Sequence, residues 1–402
     1  MTVTVNKSVA FGKITAPPSK SMAHRYLICA ALSEKSKVNN ITLSEDIKAT
    51  IGALRALGAD IEIDKASVSV GGLDFNKEIT QELFCNESGS TLRFLIPICW
   101  LFDREITLTG SKRLLARNFS VFEEISKESG FKFLKTENSI TVKGKLQAGK
   151  YKVRGDVSSQ FISGLMMALA TLKSQSIIEI TSALESGSYL KLTASALKSF
   201  GIDVSFLSEK EILINPKSGF LSREINNEAD YSNAAFLDAF NYLGGSVKVL
   251  GLDQNSMQGD KVYRKLFNLI SHSAPEIDIS DCPDLGPVLM ALAAAKNGVS
   301  LTGTKRLKLK ESDRGSAMKS ELSKFGIKTI INENEIIIEK GILKKPNEPL
   351  FAHNDHRILM SLVILLTLTS GEIKGAECVN KSYPNFFEDI CSLGIDLASQ
   401  SN

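Results

Sequence analysis

The sequence predicts an α/β protein built from repeated units, and three observations carry that prediction. A helix-period segment that ends at Gly and runs straight into an alternating strand occurs five times, closing at Gly58, Gly130, Gly201, Gly326 and Gly394. Alternating stretches such as Ile61–Val70 lead, after a Gly-containing turn, to apolar helical stretches such as Ser90–Phe102, which is the alternation of an α/β chain. Helical patterns at Phe161–Leu172 and Leu285–Ala295 are apolar on every face, so they belong inside a cluster of units rather than on its surface.

Each copy can be read in order. Ala53–Gly58 feeds the strand Ala59–Ile63, and Glu124–Gly130 feeds Phe131–Phe133. Leu197–Gly201 feeds Ile202–Val204, Leu322–Gly326 feeds Ile327–Lys328, and Ile390–Gly394 feeds Ile395–Leu397. The interval from Gly201 to Gly326 has room for another copy, with Leu266–Ile279 as its candidate, which makes six units of roughly 67 residues. Six units can form one ring or two clusters of three, and a solenoid of binding repeats is the non-enzymatic alternative.

The chain has 402 residues, 43% hydrophobic and 23% charged, and 48 Lys and Arg against 45 Asp and Glu leave a net charge of +3. This is a soluble globular composition with more than one core, and it excludes a basic coat for nucleic acid, a collagen-like chain and a disordered one. The longest apolar runs, Phe161–Leu172 and Ile358–Thr369, fall short of the ~20 residues that span a bilayer. The stretch Met1–Lys7 has no signal-type core, so the expected location is the cytoplasm. Cys29, Cys85, Cys99, Cys282, Cys378 and Cys391 are scattered without paired spacing and read as small buried hydrophobes. His24, His272, His353 and His356 lack metal-ligand spacing. Gly144–Lys150 resembles a phosphate-binding loop, but Tyr151 replaces its hydroxyl residue and no helical pattern follows, so it reads as a surface turn.

What stands out is the number of apolar helices that begin with Arg or Lys beside Ser, Gly or Asn. A helix N-terminus offers unpaired N–H donors and partial positive charge, small residues allow close approach, and Arg adds a fork that fits phosphate or carboxylate. Pro18-Ser-Lys20-Ser21 with Arg25 is the first case, Ser88-Gly89-Ser90-Thr91-Leu-Arg93 the second, and Gly155-Asp156-Val-Ser158-Ser159-Gln160 the third. Each alone is equally well a helix cap; three in one chain point to anions. Lys310-Glu311-Ser312-Asp313-Arg314 precedes the helical pattern Ala317–Phe325, and Asp355-His356-Arg357 opens Ile358–Leu368, whose apolar character requires burial. Pro283-Asp284-Leu285 and Lys381-Ser-Tyr-Pro384-Asn-Phe-Phe387 complete the series.

These segments, in this order, resemble the 5-enolpyruvylshikimate-3-phosphate synthase family of enolpyruvyl transferases, from Lys20 to Phe387. The resemblance implies a two-domain inside-out α/β barrel of six βαβαββ units, three per domain, with the substrates bound between the domains. One domain would span 15–228 and carry the helix starts that bind shikimate phosphate, and the other, 1–14 plus 229–402, would carry much of the phosphoenolpyruvate site. The implied reaction transfers the enolpyruvyl group of phosphoenolpyruvate to the 5-hydroxyl of shikimate 3-phosphate and releases phosphate, by addition and then elimination. No cofactor, metal, membrane or nucleic acid is implied, and the chain is expected to act as a monomer.

Carried over position by position, Lys20, Ser21, Arg25, Ser158, Ser159, Gln160, Ser186, Tyr189, Asp284 and Lys310 would contact shikimate 3-phosphate. Lys20, Gly89, Arg117, Gln160, Arg314, Arg357 and Lys381 would contact phosphoenolpyruvate. Asp284 is the expected base for the hydroxyl proton, with Glu311 and Lys20 or Lys381 handling the methylene proton and His356 assisting. Gly89 leaves room for glyphosate in the phosphoenolpyruvate site, so competitive inhibition is expected. The chain departs from the family pattern at Glu87 and Arg306, each where Asn is common, at Ser186-Gly187-Ser188-Tyr189, where a Lys is missing, and at Asn118, where Pro follows the Arg. The related transferase that acts on UDP-N-acetylglucosamine would need a reactive loop Cys, and an RNA-end cyclase would need a basic RNA face; the sequence offers neither.

Overall fold

The recurring pattern builds a strand, a helix, a parallel strand, a second helix and a hairpin. In one copy Glu82–Phe84 runs parallel to Ile106–Thr109, which pairs antiparallel with Ser139–Lys143, itself antiparallel to Lys132–Lys135. The computed structural model describes residues 1–400 other than Ser218, and among them five four-stranded sheets follow this order. Their strands bury alternate residues, as Ile140 and Val142 in Ser139–Lys143, so each sheet turns one face to a core and one to solvent.

The chain divides into two compact units, Pro18–Glu228 and a second made of Met1–Pro17 with Ala229–Asn402. The first unit holds three complete copies: α1 (Lys20–Leu32) and α2 (Glu45–Ala56); α3 (Gly89–Cys99), α4 (Lys112–Leu115) and α5 (Ser120–Ser129); α6 (Ser159–Leu169) and α7 (Gly187–Ser199). The second holds α8 (Tyr231–Ala239) and α9 (Tyr263–His272), then α10 (Gly286–Ala295) and α11 (Arg314–Lys324), then α12 (His356–Thr369) and α13 (Phe386–Ser392). The division falls three residues beyond the expected end at Ile14, because Phe11–Thr15 pairs along its whole length with Ser246–Leu250.

The apolar-all-round helices lie inside and the sheets outside. Every residue of α3 is buried except Ser90, and every residue of α6 except Gln160. Both exceptions sit in first turns, where the polar residues of the sequence motifs are. The five closing glycines all adopt left-handed backbone, with φ from 70° to 97°, which lets the chain reverse from helix into hairpin.

The sixth copy differs from expectation. Leu266–Ile279 does supply the second helix of a unit, α9, but no hairpin follows it. Glu276–Asp278 instead runs parallel to Val299–Thr302 and opens the next sheet. This copy therefore keeps only two strands, Phe11–Thr15 and Ser246–Leu250, with no glycine closing α9. The final copy takes its last strand from the other end of the chain: Thr2–Val5 lies between Gly371–Lys374 and Leu397–Gln400. The loop Gly144–Gly149 leads into the strand Lys150–Val153 rather than a helix, and Lys150 pairs with Glu179 at 2.8 Å and Glu211 at 3.2 Å.

Candidate active site

In the Pro18–Glu228 unit, α1, α3 and α6 bring their first turns into one hydrogen-bonded assembly. Ser19, Ser88 and Ser158 cap them, accepting from the backbone N–H of Met22, Thr91 and Gln160. The Nε2 of Gln160 donates to Ser90 Oγ at 3.0 Å, and Arg93 Nη1 donates to Gln160 Oε1 at 2.7 Å, which ties α3 to α6. A buried chain of side chains, His24 Nδ1 to Thr50 Oγ1 at 2.7 Å and Thr50 to Thr91 at 2.6 Å, ties α1 to α3 through α2. Burial first, and then Lys20 and Arg25, hold His24 well below its ordinary value, so it is a neutral strut.

Lys20 opens α1 with its ammonium 2.6 Å from Asp46 Oδ2. Arg25 is buried one turn on, donating to Ser21 O at 2.7 Å, Thr193 Oγ1 at 2.8 Å and Tyr189 O at 3.2 Å, with its guanidinium over the Phe94 ring. Burial lowers it to about 10, which leaves it charged at neutral pH. Ser186 is buried with φ +57° just before α7, a strained conformation for a residue with a side chain. Ser159 is buried at the start of α6. A Cβ on Gly89 would lie 2.6 Å from Arg117 Nη1, so only glycine lets this guanidinium reach the first turn of α3.

The second unit holds a denser charge cluster. Arg314, fully buried, donates to Asp284 Oδ1 at 2.8 Å, Glu311 Oε2 at 2.7 Å and Asp355 Oδ2 at 2.9 Å. Asp284 also meets Lys310 at 3.0 Å and Arg357 at 3.2 Å. Burial alone would raise the Asp284 carboxyl, yet Arg357, Lys310 and Arg314 together hold it well below the usual carboxylate range. Burial pulls Lys310 down, Asp284 only partly offsetting it, with Arg306 and Arg314 adding to the fall. The departure residue Arg306 is thus part of this electrostatic environment and is itself buried. Asp355 caps α12, accepts from the Ser312 hydroxyl, and fixes His356 and Arg357 in the first turn. His353 and Asn354, both left-handed at φ 52° and 55°, turn the chain into that helix, and Lys381 Nζ donates to the Asn354 carbonyl at 2.7 Å.

The structure thus gathers Asp284, Lys310, Glu311, Arg314 and Arg357 into one network, with His356 beside it and Lys381 one residue away through Asn354. It gathers Lys20, Ser21, Arg25, Gly89, Arg117, Ser158, Ser159, Gln160, Ser186 and Tyr189 around helix starts of the other unit. The helix α11 begins at Arg314, earlier than its apolar pattern, with Asp313 as its cap. Three further residues belong to these arrangements: Asp46, paired with Lys20; Ser232, whose hydroxyl oxygen accepts from Arg357 Nη1; and Asp355. Of these only Asp355 carries a sequence signal, as an acid opening a buried helix. All six thiols are pushed upward, chiefly by burial, so none is an activated nucleophile. Among the described residues no helix is long and apolar enough to cross a membrane, and no group of three His, Cys, Asp or Glu is placed to hold a metal ion.

Comparison with known proteins places this geometry in a family. Residues 6–390 match the family described as EPSP synthase (3-phosphoshikimate 1-carboxyvinyltransferase). A 3-phosphoshikimate 1-carboxyvinyltransferase of Clostridium kluyveri is 40% identical, covering 98% of both chains, and one of Clostridium beijerinckii is 39% identical, covering 95% of both. A solved EPSP synthase of Acinetobacter baumannii has the same fold, with a TM-score of 0.79 at 22% identity over 99% of this chain and 100% of that one. The chain belongs to the EPSP synthase family.

Proposed function

We propose that this protein transfers the enolpyruvyl group of phosphoenolpyruvate to the 5-hydroxyl of shikimate 3-phosphate, releasing inorganic phosphate, as a step of aromatic amino-acid biosynthesis. The observation that carries the reading is Asp284, a carboxylate kept ionised at a buried helix start by Lys310, Arg314 and Arg357. Such a group can take a proton from a hydroxyl while the cations around it receive anionic substrates. Binding of a carboxylate or phosphate to Arg357 or Lys310 draws positive charge from Asp284 and raises its basicity when the substrate is in place.

Lys20, Ser21, Arg25, Ser158, Ser159, Gln160, Ser186 and Tyr189 hold shikimate 3-phosphate, with Asp284 and Lys310 on its ring. Lys20, Gly89, Arg117, Gln160, Arg314, Arg357 and Lys381 hold phosphoenolpyruvate. Asp284 is the base, Glu311 with Lys20 or Lys381 delivers the proton to the methylene carbon, and His356 assists. Proton and hydroxyl oxygen add across the double bond, with Asp284 taking the hydroxyl proton; the group that protonated the methylene carbon then takes a proton back from the methyl as the carbon–oxygen bond to phosphate breaks and the double bond re-forms, and the proton on Asp284 leaves with the phosphate. The protein acts as a cytoplasmic monomer without a cofactor. Phosphate release from phosphoenolpyruvate in chelator-treated buffer tests the reading: release is expected with shikimate 3-phosphate and none with UDP-N-acetylglucosamine, and silence with both would overturn it.

Gly89→Ala gives a second test. The added methyl must displace the Arg117 guanidinium, the far end of a flexible side chain, so the fold should survive while the anion loses a charged hydrogen bond of about 1.5–3 kcal/mol. The KM for phosphoenolpyruvate is expected to rise about tenfold or more, and glyphosate, a competitive inhibitor of the parent, to lose affinity alongside. Unchanged KM and inhibition would show that Arg117 does not meet the substrate.

A further inference from the structure

Beside the cluster of Asp284, Glu311 and Asp355 lies a fourth carboxyl, which no step above uses. Asp260 sits in the short 3-10 turn Gly259–Val262 and is buried, with 7% of its surface exposed. That turn is clamped to the start of α8, since Gln258 accepts from Tyr231 N at 2.9 Å and donates to Ala229 O at 2.8 Å. The Ser232 side chain, in the first turn of α8, stands between two charged groups: its oxygen accepts from Arg357 Nη1, and it lies beside Asp260 and favours that carboxyl's ionised form. Arg357 in turn reaches Asp284 with Nη2 at 3.2 Å. The Oδ1 of the Asp260 carboxyl is buried with no hydrogen-bond partner among the described residues.

A buried carboxyl whose Oδ1 finds no donor is a poor structural brace, because its ionised form is left with an unpaired acceptor. The same arrangement suits a group whose charge is meant to change. We propose that Asp260 is a positioning residue for the transfer reaction, setting through Ser232 how firmly Arg357 is available to the anionic substrate. Neutral Asp260 leaves the Arg357 charge to Asp284 and the substrate; ionised Asp260 adds a competing negative charge. By reciprocity, binding of the anion favours protonation of Asp260, so binding takes up a proton.

The groups facing Asp260 agree with this. Asp284 lies before α10, Asp230 caps α8, Arg357 opens α12, and the Cys282 thiol stands near by with its own ionisation suppressed by burial and the surrounding acids. Burial, with Asp284 and Asp230 adding to it and Arg357 and Ser232 opposing, raises the Asp260 carboxyl to about 7. On the next elements Asp238 is paired with Tyr263 and Arg264, and does not bear on it.

The proposal rests on the transfer reaction proposed above, and its test separates the two. The KM for phosphoenolpyruvate is measured from about pH 6 to about pH 8 on the parent, Asp260→Asn and Ser232→Ala. In the parent KM should rise roughly threefold or more across this range, beyond what the substrates' own titration gives; in Asp260→Asn, which is neutral throughout, that excess should vanish. Ser232→Ala should reduce it, and Asp260→Glu should restore it. An unchanged rise in folded Asp260→Asn, or a uniform loss of kcat and KM at every pH, overturns the positioning role while leaving the function standing. Should Asp260→Asn fail to fold, an unchanged rise in Ser232→Ala overturns it equally. No turnover by the parent overturns the functional reading and this proposal with it.

Discussion

Asp284→Asn is expected to reduce turnover at saturating substrates by about 10²–10⁴-fold, the contribution of a positioned general base. The change is nearly isosteric, and Arg314 keeps Asp355 and Glu311, so the fold should persist. The KM for phosphoenolpyruvate should not rise, because Lys310 and Arg357 lose an internal competitor for the anion. A loss of kcat without a rise in KM is the mark of an interaction made in the transition state. Near-normal turnover would remove Asp284 from the role of base. Stability gives an independent check on its ionisation. The folded carboxyl sits below its unfolded value, so it stabilises the fold above the ordinary carboxylate range and loses that contribution as pH falls. The melting temperatures of parent and variant should therefore converge on acidification, and a gap that widened would contradict the depressed value.

How much of this was legible in the sequence depends on how local each cause is. The starts of α1, α3, α6 and α12 could be read because their signal is contained within a few residues: a small capping side chain, an Arg in α1, α3 and α12 or a Gln in α6, and an apolar run that demands burial. The closing glycines were equally local, since a left-handed residue between helix and strand announces itself. What could not be read is what comes from elsewhere in the chain. Asp46 meets Lys20 from another helix, and Asp260 meets Ser232 from a turn with no motif. The truncated sixth copy failed for the same reason. The segment 266–279 has the helix, but whether Glu276–Asp278 closes one sheet or opens the next is decided by Val299–Thr302, which lies well downstream. Likewise, nothing in Met1–Val5 announces that it completes a sheet with residues near 400.

Arg314 carries the largest expected effect on stability. Its guanidinium has no exposed surface and contacts three carboxylates, so Arg314→Met leaves Asp284, Glu311 and Asp355 without their common cation. Removing one partner of a buried ion network costs about 3–5 kcal/mol, because the remaining charges cannot be rehydrated where they stand. For a unit of this size that corresponds to a melting temperature roughly 6–20 °C lower, read by calorimetry. Arg314→Lys should recover only part of the loss, since one ammonium cannot present the planar fork that serves three acceptors at once. Adding Asp355→Leu to Arg314→Met should restore more stability than it costs alone, because Asp355 is the most deeply buried of the stranded acids. If Arg314→Met melted with the parent, the network would be an arrangement of charges that the fold does not depend on. The same variant should also be inactive at temperatures where it remains folded, because Asp284 and Arg357 lose the group that fixes their relative placement.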